Sequence, residues 1–381
     1  MTAHQHSGGP ALHCVRTLTL DSVACKMSRM SLSVTHIASG DLWAGAEVQL
    51  YMLARAQHQL GNHVTVVLLN PGALAERLER EGITVHVLPE TSLSTPAIFI
   101  AMRRLLQRIK PDIVHTHRHK ENILGGLAAW LNDIPSLRTV HGAPETHYGR
   151  QRPGQRIMRF LDHWTGRYLQ QRIVAVTHDL TGKLGKEFPR AQLTTIENGI
   201  DPEAFTSFAA GETFSPGFAA ARRRIGIVGR LVPVKRIDLF IATARLLTED
   251  PELQDIHFFV LGDGPLHATL AGQAMPLRDR LTFLGTIEQI HPYIAAMDAL
   301  LMCSDHEGLP ITALEAMSLN CPLVAHQVGG LIDLLDRGRS GWPVTQHSPE
   351  AYAAAIRSVL GDSHQRTAVL ARAKERVSTR H

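Results

Sequence analysis

The run Asp305-His306-Glu307-Gly308-Leu309-Pro310-Ile311-Thr312-Ala313-Leu314-Glu315 stands between two short apolar segments, Ala299–Cys303 and Pro322–His326. Apolar runs of that length bounded by turn residues read as buried strands. The stretch between them reads as a loop followed by a helix over Pro310–Leu319. Pro310 suits a first helical position, because its missing N–H would have no partner there anyway. Strand, helix, strand is the repeating unit of a parallel sheet. The free N–H groups of the first helical turn, with the helix dipole behind them, form a natural anion site. Gly308 lets a ligand approach the backbone closely. Glu307 and Glu315 are poor phosphate ligands and good acceptors for sugar hydroxyls. Two glutamates eight residues apart also arise by chance, so the weight of the reading comes from the rest of the chain.

Working outward, the same alternation continues in both directions. Upstream come strands over Arg224–Gly229, Ile256–Leu261 and Leu281–Leu284, with helices over Lys235–Leu247 and Ile290–Met297. Two helical runs follow Pro322–His326. Further upstream, strands over Leu32–Ala38, His63–Leu69, Ile83–Leu88, Asp112–His117, Ser136–His141 and Arg172–Thr177 alternate with helices. Those helices cover Gly45–Leu60, Ala73–Glu81, Ala97–Ile109, Glu121–Leu131 and Gly154–Gln171. The pattern breaks between Asp201 and Ala221, where Pro202, Gly211, Pro216 and Gly217 sit among small residues, the mark of a linker. The expected organisation is a leader over 1–30, a Rossmann-like domain over 31–205, a linker over 206–222 and a second Rossmann-like domain over 223–381. Open parallel sheets bind ligands at the carboxyl ends of their strands, so two of them facing each other place the site in a cleft.

The 381 residues are 44% hydrophobic and 19% charged, with a formal net charge of +4. That balance suits an ordinary soluble protein that binds phosphorylated ligands or visits an anionic membrane. The charge is too weak to imply nucleic acid, and no basic run with interleaved aromatics is of the kind an RNA platform uses. Cys14, Cys25, Cys303 and Cys321 show neither ligand spacing nor a disulfide pattern, which implies a reducing cytosol. The first 30 residues lack the apolar centre of a secretory signal. His115, His117 and His119 alternate, which on a strand puts them on one face. Three such histidines could hold a metal, but a strand end whose polar side chains line a cleft explains them more simply, and no metal site is expected.

Four further motifs fall at expected strand ends. Ala44-Gly45-Ala46-Glu47 opens a helix with small residues. Thr139-Val140-His141-Gly142 ends a central strand, and His141 is suited to hydrogen-bond a sugar hydroxyl or accept a proton. Gly229-Arg230-Leu231-Val232-Pro233-Val234-Lys235 carries two cations five residues apart across a turn. They could converge on a diphosphate, Arg230 as a planar fork and Lys235 as a point charge. Leu261-Gly262-Asp263-Gly264-Pro265 either lines the cleft or forms only a tight turn.

Together these residues resemble the retaining glycosyltransferases of family 4, with the GT-B fold, over about residues 32–360. The specific part is the second half, with the Arg230 and Lys235 motif, Leu261 to Pro265, Phe283-Leu284-Gly285, Glu307 to Glu315 and Gly329-Gly330. The first half adds Gly45 to Glu47, Val140-His141 and Asn198 to Asp201. The resemblance implies that Arg230 and Lys235, beside Gly229, neutralise the donor diphosphate. Glu307 meets the transferred sugar with the Gly308–Leu309 backbone beside it, and Glu315 holds the ribose. His141 faces donor sugar and acceptor, and Gly45 approaches the diphosphate. Gly262 belongs to the donor side, and the base lies near Leu284 and Gly285. It implies retaining transfer without a cofactor, and the absence of any Asp-x-Asp pair fits a metal-independent site. Relatives often carry two glycines where this chain has Ala44-Gly45. The chain stops at His381, short of the terminal helix that in relatives crosses back to the first domain.

The implied partners are a nucleotide-diphosphate sugar, UDP- or GDP-linked, and a glycan or lipid-linked acceptor of bacterial envelope or exopolysaccharide synthesis. The implied location is the cytoplasm, with peripheral contact at the inner face of the plasma membrane. The run from Gly149 to Arg172 bears on that contact. It interleaves Arg150, Arg152, Arg156, Arg159, Arg167 and Arg172 with Ile157, Met158, Phe160, Leu161, Trp164 and Tyr168. A basic amphipathic helix of this kind can lie on an anionic membrane, but packing on the sheet with solvated arginines is the expected arrangement. A nucleotide-sugar 2-epimerase shares the fold, and a degenerate nucleotide-sugar-binding subunit is the non-enzymatic alternative. A nicotinamide dehydrogenase is disfavoured because Ala38-Ser39-Gly40-Asp41-Leu42-Trp43 lacks Gly-x-Gly-x-x-Gly. The oligomeric state is left open by the sequence.

Overall fold

The computed structural model describes residues 31–142, 153–201 and 214–381. The expected leader, residues 206–213 of the expected linker, and Arg150 and Arg152 of the basic run lie outside the described residues.

The first domain runs β1 (Ser33–Ala38), α1 (Gly45–Gln59), β2 (His63–Leu68), α2 (Ala73–Arg80), β3 (Thr84–Val87), α3 (Thr95–Ile109), β4 (Ile113–His117), α4 (His119–Trp130), β5 (Ser136–Val140), α5 (Pro153–Tyr168), β6 (Arg172–Ala175), α6 (His178–Leu184) and β7 (Leu193–Thr195). After α7 (Pro216–Ala220), the second domain runs β8 (Arg223–Val228), α8 (Ile237–Thr248), β9 (Ile256–Leu261), α9 (His267–Ala274), β10 (Leu281–Gly285), α10 (His291–Ala295), β11 (Ala299–Met302), α11 (Ile311–Ser318), β12 (Leu323–His326), α12 (Gly330–Leu334), β13 (Trp342–Val344), α13 (Pro349–Gly361) and α14 (Ser363–Arg380).

The strand orders are β3-β2-β1-β4-β5-β6-β7 and β10-β9-β8-β11-β12-β13, with every described pairing parallel. Each sheet reverses direction of winding once, between β1 and β4 and between β8 and β11. Loops leaving neighbouring strands diverge there, which opens a crevice at the carboxyl ends. The loops after β1, β4, β8 and β11 carry Gly45, Arg118, Arg230 and Glu307. The topology therefore explains why the loops after β1 and β4 adjoin in the first sheet and those after β8 and β11 in the second. These are two doubly wound α/β domains, as the sequence reading expected.

Burial on both faces holds the second sheet. Phe258 and Val260 of β9 pack with Phe240 and Tyr352 on one face, while Phe259 and Leu261 pack with Phe218 and Met317 on the other. Successive side chains of a strand point to opposite faces, so a fully apolar strand needs helices on both sides.

Three expectations shift. Pro310 is not inside its helix but caps it from one residue before, with extended backbone (φ −69, ψ 127). The edge strands β7 and β13 and the helices α6, α9 and α12 add to the expected elements, and α7 lies within the expected linker. β7 and β13 are three residues long, and Pro343 inside β13 is tolerated because that strand is an edge. The expected lack of a returning helix fails: α14 packs on α11, and the His381 carbonyl accepts from Ile200 N at 2.7 Å. His381 Nδ1 also lies 3.1 Å from the Asn198 carbonyl.

Candidate functional site

The loops after β8 and β9 lean on each other. A Cβ on Gly262 would overlap the Gly229 carbonyl, and one on Gly264 would lie 2.7 Å from Leu231 N. Gly262 N donates to the Gly285 carbonyl at 2.7 Å, which links a third strand end to the pair. Gly262 thus serves backbone contact between loops, and Leu284 packs at the edge of the core. Leu284 and Gly285 lie beside the Gly262 turn, and a Cβ on Gly285 would meet open space.

From that base the β8 loop turns through Pro233–Lys235, and Arg236 adopts a left-handed conformation (φ 49) before α8. The turn aims two consecutive cations at the β11 loop. Lys235 Nζ lies 2.6 Å from Glu307 Oε1, and Arg236 Nη1 lies 3.2 Å from Asp305 Oδ1. Glu307 is mostly buried and Lys235 partly so. Arg230 is exposed and makes no ion pair among the described residues. Glu315, buried on α11, has its Oε1 3.0 Å from His291 Nε2 of α10. His291 had escaped the sequence reading, because one histidine ahead of a proline carries no local signal.

The Glu307–Leu309 segment is where the domains touch. A Cβ on Gly308 would overlap the His141 carbonyl at the end of β5. Gly329, at φ 54, faces the Glu307 carbonyl so closely that no side chain fits. Gly330 N donates to the Gly308 carbonyl at 2.8 Å. Across the boundary, Asn198 Nδ2 donates to the Leu309 carbonyl at 2.7 Å. α1 also packs against α11, with Val48 and Met52 on the second domain's core. Gly45 opens α1, is exposed, and has open space where a Cβ would stand. Two residues on, buried Glu47 pairs with Arg118 Nη2 at 2.6 Å. Burial raises the Glu47 carboxyl above its ordinary range, although Arg118 opposes the shift.

His141 belongs to a histidine cluster. Its Nε2 lies 3.1 Å from His117 Nδ1, and His117 Nε2 lies 3.2 Å from His36 Nδ1. The chain ends at Gln57 Oε1, 2.7 Å from His36 Nε2, while His115 Nε2 lies 2.7 Å from Thr139 Oγ1. Burial lowers His36 and His141 to about 4, with the Arg118 charge adding to the effect at His141. Burial and the neighbouring rings hold His115 and His117 well below the ordinary value. Burial thus favours uncharged rings, each with one nitrogen that donates and one that accepts, so the tautomer of His141 is tied to that of His117. His119 leaves the expected trio, because β4 ends at His117 and His119 opens α4, bonded to Asp162 at 2.9 Å. His36 takes its place through the β1–β4 register, which pairs His36 with His115.

A cavity of about 240 Å³ lies between the domains, lined by Gly142, Thr177 and Lys183 on one side and Glu307, Gly308 and Gly329 on the other. Glu307 and Gly308 line this cavity, Lys235 reaches it through Glu307, and the His141 backbone borders it at Gly308; the Lys235, His141, Arg230 and Glu315 side chains are not part of its lining. The sequence assigns no cleft role to Thr177 or Lys183, although Thr177, two residues past β6, N-caps α6, its Oγ1 accepting from Leu180 N at 3.0 Å.

The basic helix also differs from expectation. α5 buries only Thr165 and Gly166, while Ile157, Phe160 and Tyr168 are more than 60% exposed. Its first half does not pack on the sheet, because Asp162, Thr165 and Gly166 alone meet the polar interior around Arg138. Among the described residues no helix is long and apolar enough to cross a membrane.

Comparison with known proteins adds identity to this geometry. A family description for glycosyl transferases group 1 matches residues 222–362, and one for Glycosyltransferase Family 4 matches residues 43–204. The chain is 30% identical over 299 residues to the D-inositol 3-phosphate glycosyltransferase of Kineococcus radiotolerans, covering 70% of this chain and 67% of that one. It is 26% identical over 275 residues to the UDP-Gal:alpha-D-GlcNAc-diphosphoundecaprenol alpha-1,3-galactosyltransferase of Escherichia coli, covering 69% and 70%. Among solved structures, Anabaena HepE in complex with UDP and glucose superposes with a TM-score of 0.78 at 19% identity, over 92% of this chain and 95% of that one.

Proposed function

Because the chain belongs to glycosyltransferase family 4, we propose that it is a retaining hexosyltransferase using a UDP- or GDP-linked sugar. The observation that carries this reading is the Lys235–Glu307 contact of 2.6 Å, set directly below the Gly308–His141 crossing. It joins a cation to a sugar-hydroxyl acceptor one residue before Gly308, the glycine that packs on the His141 backbone carbonyl. Lys235 has three donors, so it can keep Glu307 while meeting a phosphate oxygen. Arg230, exposed and unpaired among the described residues, supplies the second charge.

As the bond from the anomeric carbon to the diphosphate breaks, charge builds on the departing phosphate oxygen. Preorganised donors aimed at that oxygen contribute most there. In our reading Lys235 and Arg230 do this work with the backbone N–H groups at the start of α11, and no cofactor or metal is needed at the diphosphate. Glu307 orients the sugar, Glu315 with His291 holds the ribose, and the incoming acceptor hydroxyl approaches past His141 on the face the diphosphate leaves.

The acceptor is proposed to be a glycan or lipid-linked saccharide of the bacterial envelope. Exposed Ile157 and Phe160 beside Arg156 and Arg159 on α5 support peripheral contact with an anionic inner leaflet.

The test is a thermal-shift and hydrolysis panel of nucleotide sugars. Binding stabilises by mass action, so the true donor raises the melting temperature of the wild type and does so less in Lys235→Ala. The released or transferred sugar, read by NMR, keeps its anomeric configuration. Inversion refutes the retaining reading. Appearance of the 2-epimer of the nucleotide sugar makes the chain an epimerase, and binding with no turnover on any acceptor or water makes it a binding subunit.

A further inference from the structure

The first domain carries a second constellation that donor chemistry does not use. β1 and β4 are the central strands of its sheet, and their inner face holds His36, His115 and His117, all buried. At the equivalent place in the second sheet, β8 and β11 bury Ile225, Ile227 and Leu301 instead. Three imidazoles in a sheet centre give up apolar burial and must be repaid by specific bonds.

The arrangement of their six ring nitrogens is specific. One nitrogen of each ring lies within 4.8 Å of the other two. His36 Nδ1 and His117 Nε2 are already 3.2 Å apart, close to the roughly 3.3 Å between two imidazole nitrogens on a tetrahedral zinc ion with Zn–N distances of about 2.0–2.1 Å. Bringing the third nitrogen to that spacing takes a shift of no more than about 1.5 Å, shared among the three side chains through χ1 and χ2. The outward nitrogens are each held. His36 Nε2 meets Gln57 Oε1 at 2.7 Å, His115 Nε2 meets Thr139 Oγ1 at 2.7 Å, and His117 Nδ1 meets His141 Nε2 at 3.1 Å. Metal-binding histidines show this pattern, in which an outer partner takes the second N–H and fixes tautomer and ring orientation.

We propose that His36, His115 and His117 bind one divalent first-row transition ion, Zn²⁺ by preference, through His36 Nδ1, His117 Nε2 and the nitrogen of His115 turned away from Thr139. Imidazole donors suit Zn²⁺, Co²⁺, Ni²⁺ and Cu²⁺ and not Mg²⁺ or Ca²⁺. A water completes the fourth position. The ion ties β1 to β4 and, through the His117 Nδ1–H donated to His141 Nε2, fixes which nitrogen of His141 faces the cleft. It does not touch the diphosphate. Binding of the ion itself is independent of the transfer reaction proposed above.

The test uses the full chain without an affinity tag, stripped with EDTA and titrated with Co²⁺ and with Zn²⁺ against a chromophoric chelator. The expected result is one tight equivalent per chain, with the visible spectrum of tetrahedral Co²⁺ and a higher melting temperature. His115→Phe, which keeps an aromatic ring in the core, loses that equivalent. Should His115→Phe not fold, the pair Gln57→Met and Thr139→Val keeps the ligands and removes their outer partners, and about 10–100-fold weaker binding is expected. His326 and His347, stacked at 3.9 Å in the other domain, supply the control, and His347→Asn leaves the equivalent in place. The proposal is overturned by a wild type with no tight equivalent, by an equivalent that survives in folded His115→Phe, or by Gln57→Met/Thr139→Val binding within twofold of wild type. Any of these outcomes makes the cluster a hydrogen-bonded histidine chain from Gln57 to His141.

Discussion

The two sheets share winding and differ in filling. In the second, the central strands are largely apolar on both faces, and Arg230, Lys235 and Glu307 stand in the loops past the strand ends. In the first, the core itself is polar. Arg138 of β5 is buried, bonding Gln170 through Nε, Asp162 Oδ1 at 2.8 Å and Thr165 Oγ1 at 3.0 Å. Gln170 Nε2 in turn donates to Thr116 Oγ1 at 2.9 Å, and Thr116 Oγ1 donates to Asn122 Oδ1 at 2.6 Å. The second domain stabilises itself with area and is free to specialise its loops. The first depends on a connected polar network in which every member has to be satisfied.

The strongest way to break that contrast is Asp162→Ala. Burial alone would raise the Asp162 carboxyl, yet the hydrogen bond from His119, the Arg138 charge and the bond from Asn122 together hold it below the ordinary range. Removing it strands a buried guanidinium. Breaking a buried pair from one side costs about 3–5 kcal/mol, so chemical denaturation should show a loss of that size. A change under about 1 kcal/mol would mean that the interior around Arg138 is wetter than described.

Next is Lys235→Ala, on the apolar side of the comparison. The expected loss is about 2–4 kcal/mol of transition-state stabilisation, by analogy with losing one oxyanion donor, with stability nearly unchanged. Initial-rate kinetics at saturating donor measure it. Wild-type turnover in the folded variant removes Lys235 from the chemistry. Arg230→Ala is expected to fall in the same range.

This division also explains what was legible in the sequence. Apolar strands and loop motifs leave local signals, so the alternation and the two doubly wound sheets could be read directly, and Arg230, Lys235, Glu307 and Glu315 stand out as candidates on the β8–α8 and β11–α11 units. The polar interior could not. Arg138 looks like one more surface arginine until β4, β5 and β6 bring Gln170 and Thr116 to it. His36 lies 79 residues from His115, and only the parallel register of β1 on β4 makes them neighbours. The same holds for His291, which meets Glu315 through the packing of α10 on α11. α5 misled for the opposite reason: its apolar positions suggest a packed face, but they mostly face solvent.

A third test sharpens the contrast through pH. Glu121, in the first turn of α4, is buried, and that burial raises its carboxyl to about 7, against the pull of its own helix N–H and of Arg118. The unfolded chain releases this proton near the ordinary glutamate value, while the folded chain retains it up to about 7. Between those values the folded state binds more protons than the unfolded one, so stability falls as pH rises through that window and levels off above it. A shift of this size corresponds to roughly 3 kcal/mol or slightly more. Glu121→Gln should flatten the fall, and the variant should be the more stable protein above pH 7. Parallel pH profiles for variant and wild type would place the carboxyl in solvent.

The smallest expected effect probes the seam between the two kinds of domain. Asn198 is buried, donates through Nδ2 to the Leu309 carbonyl at 2.7 Å, and offers its own carbonyl to His381. Asn198→Ala leaves the Leu309 carbonyl without that donor, which costs about 1–2 kcal/mol for a buried group. The bond spans the domains, so the loss falls on their contact and not on either core. Two readouts should therefore separate: a modest drop in melting temperature, and a larger rise in donor KM than fall in kcat, because Glu307 and Gly308 sit next to the freed carbonyl. If kcat falls while KM holds, Asn198 acts on the chemical step, and the seam is more rigid than a single side-chain bond would make it.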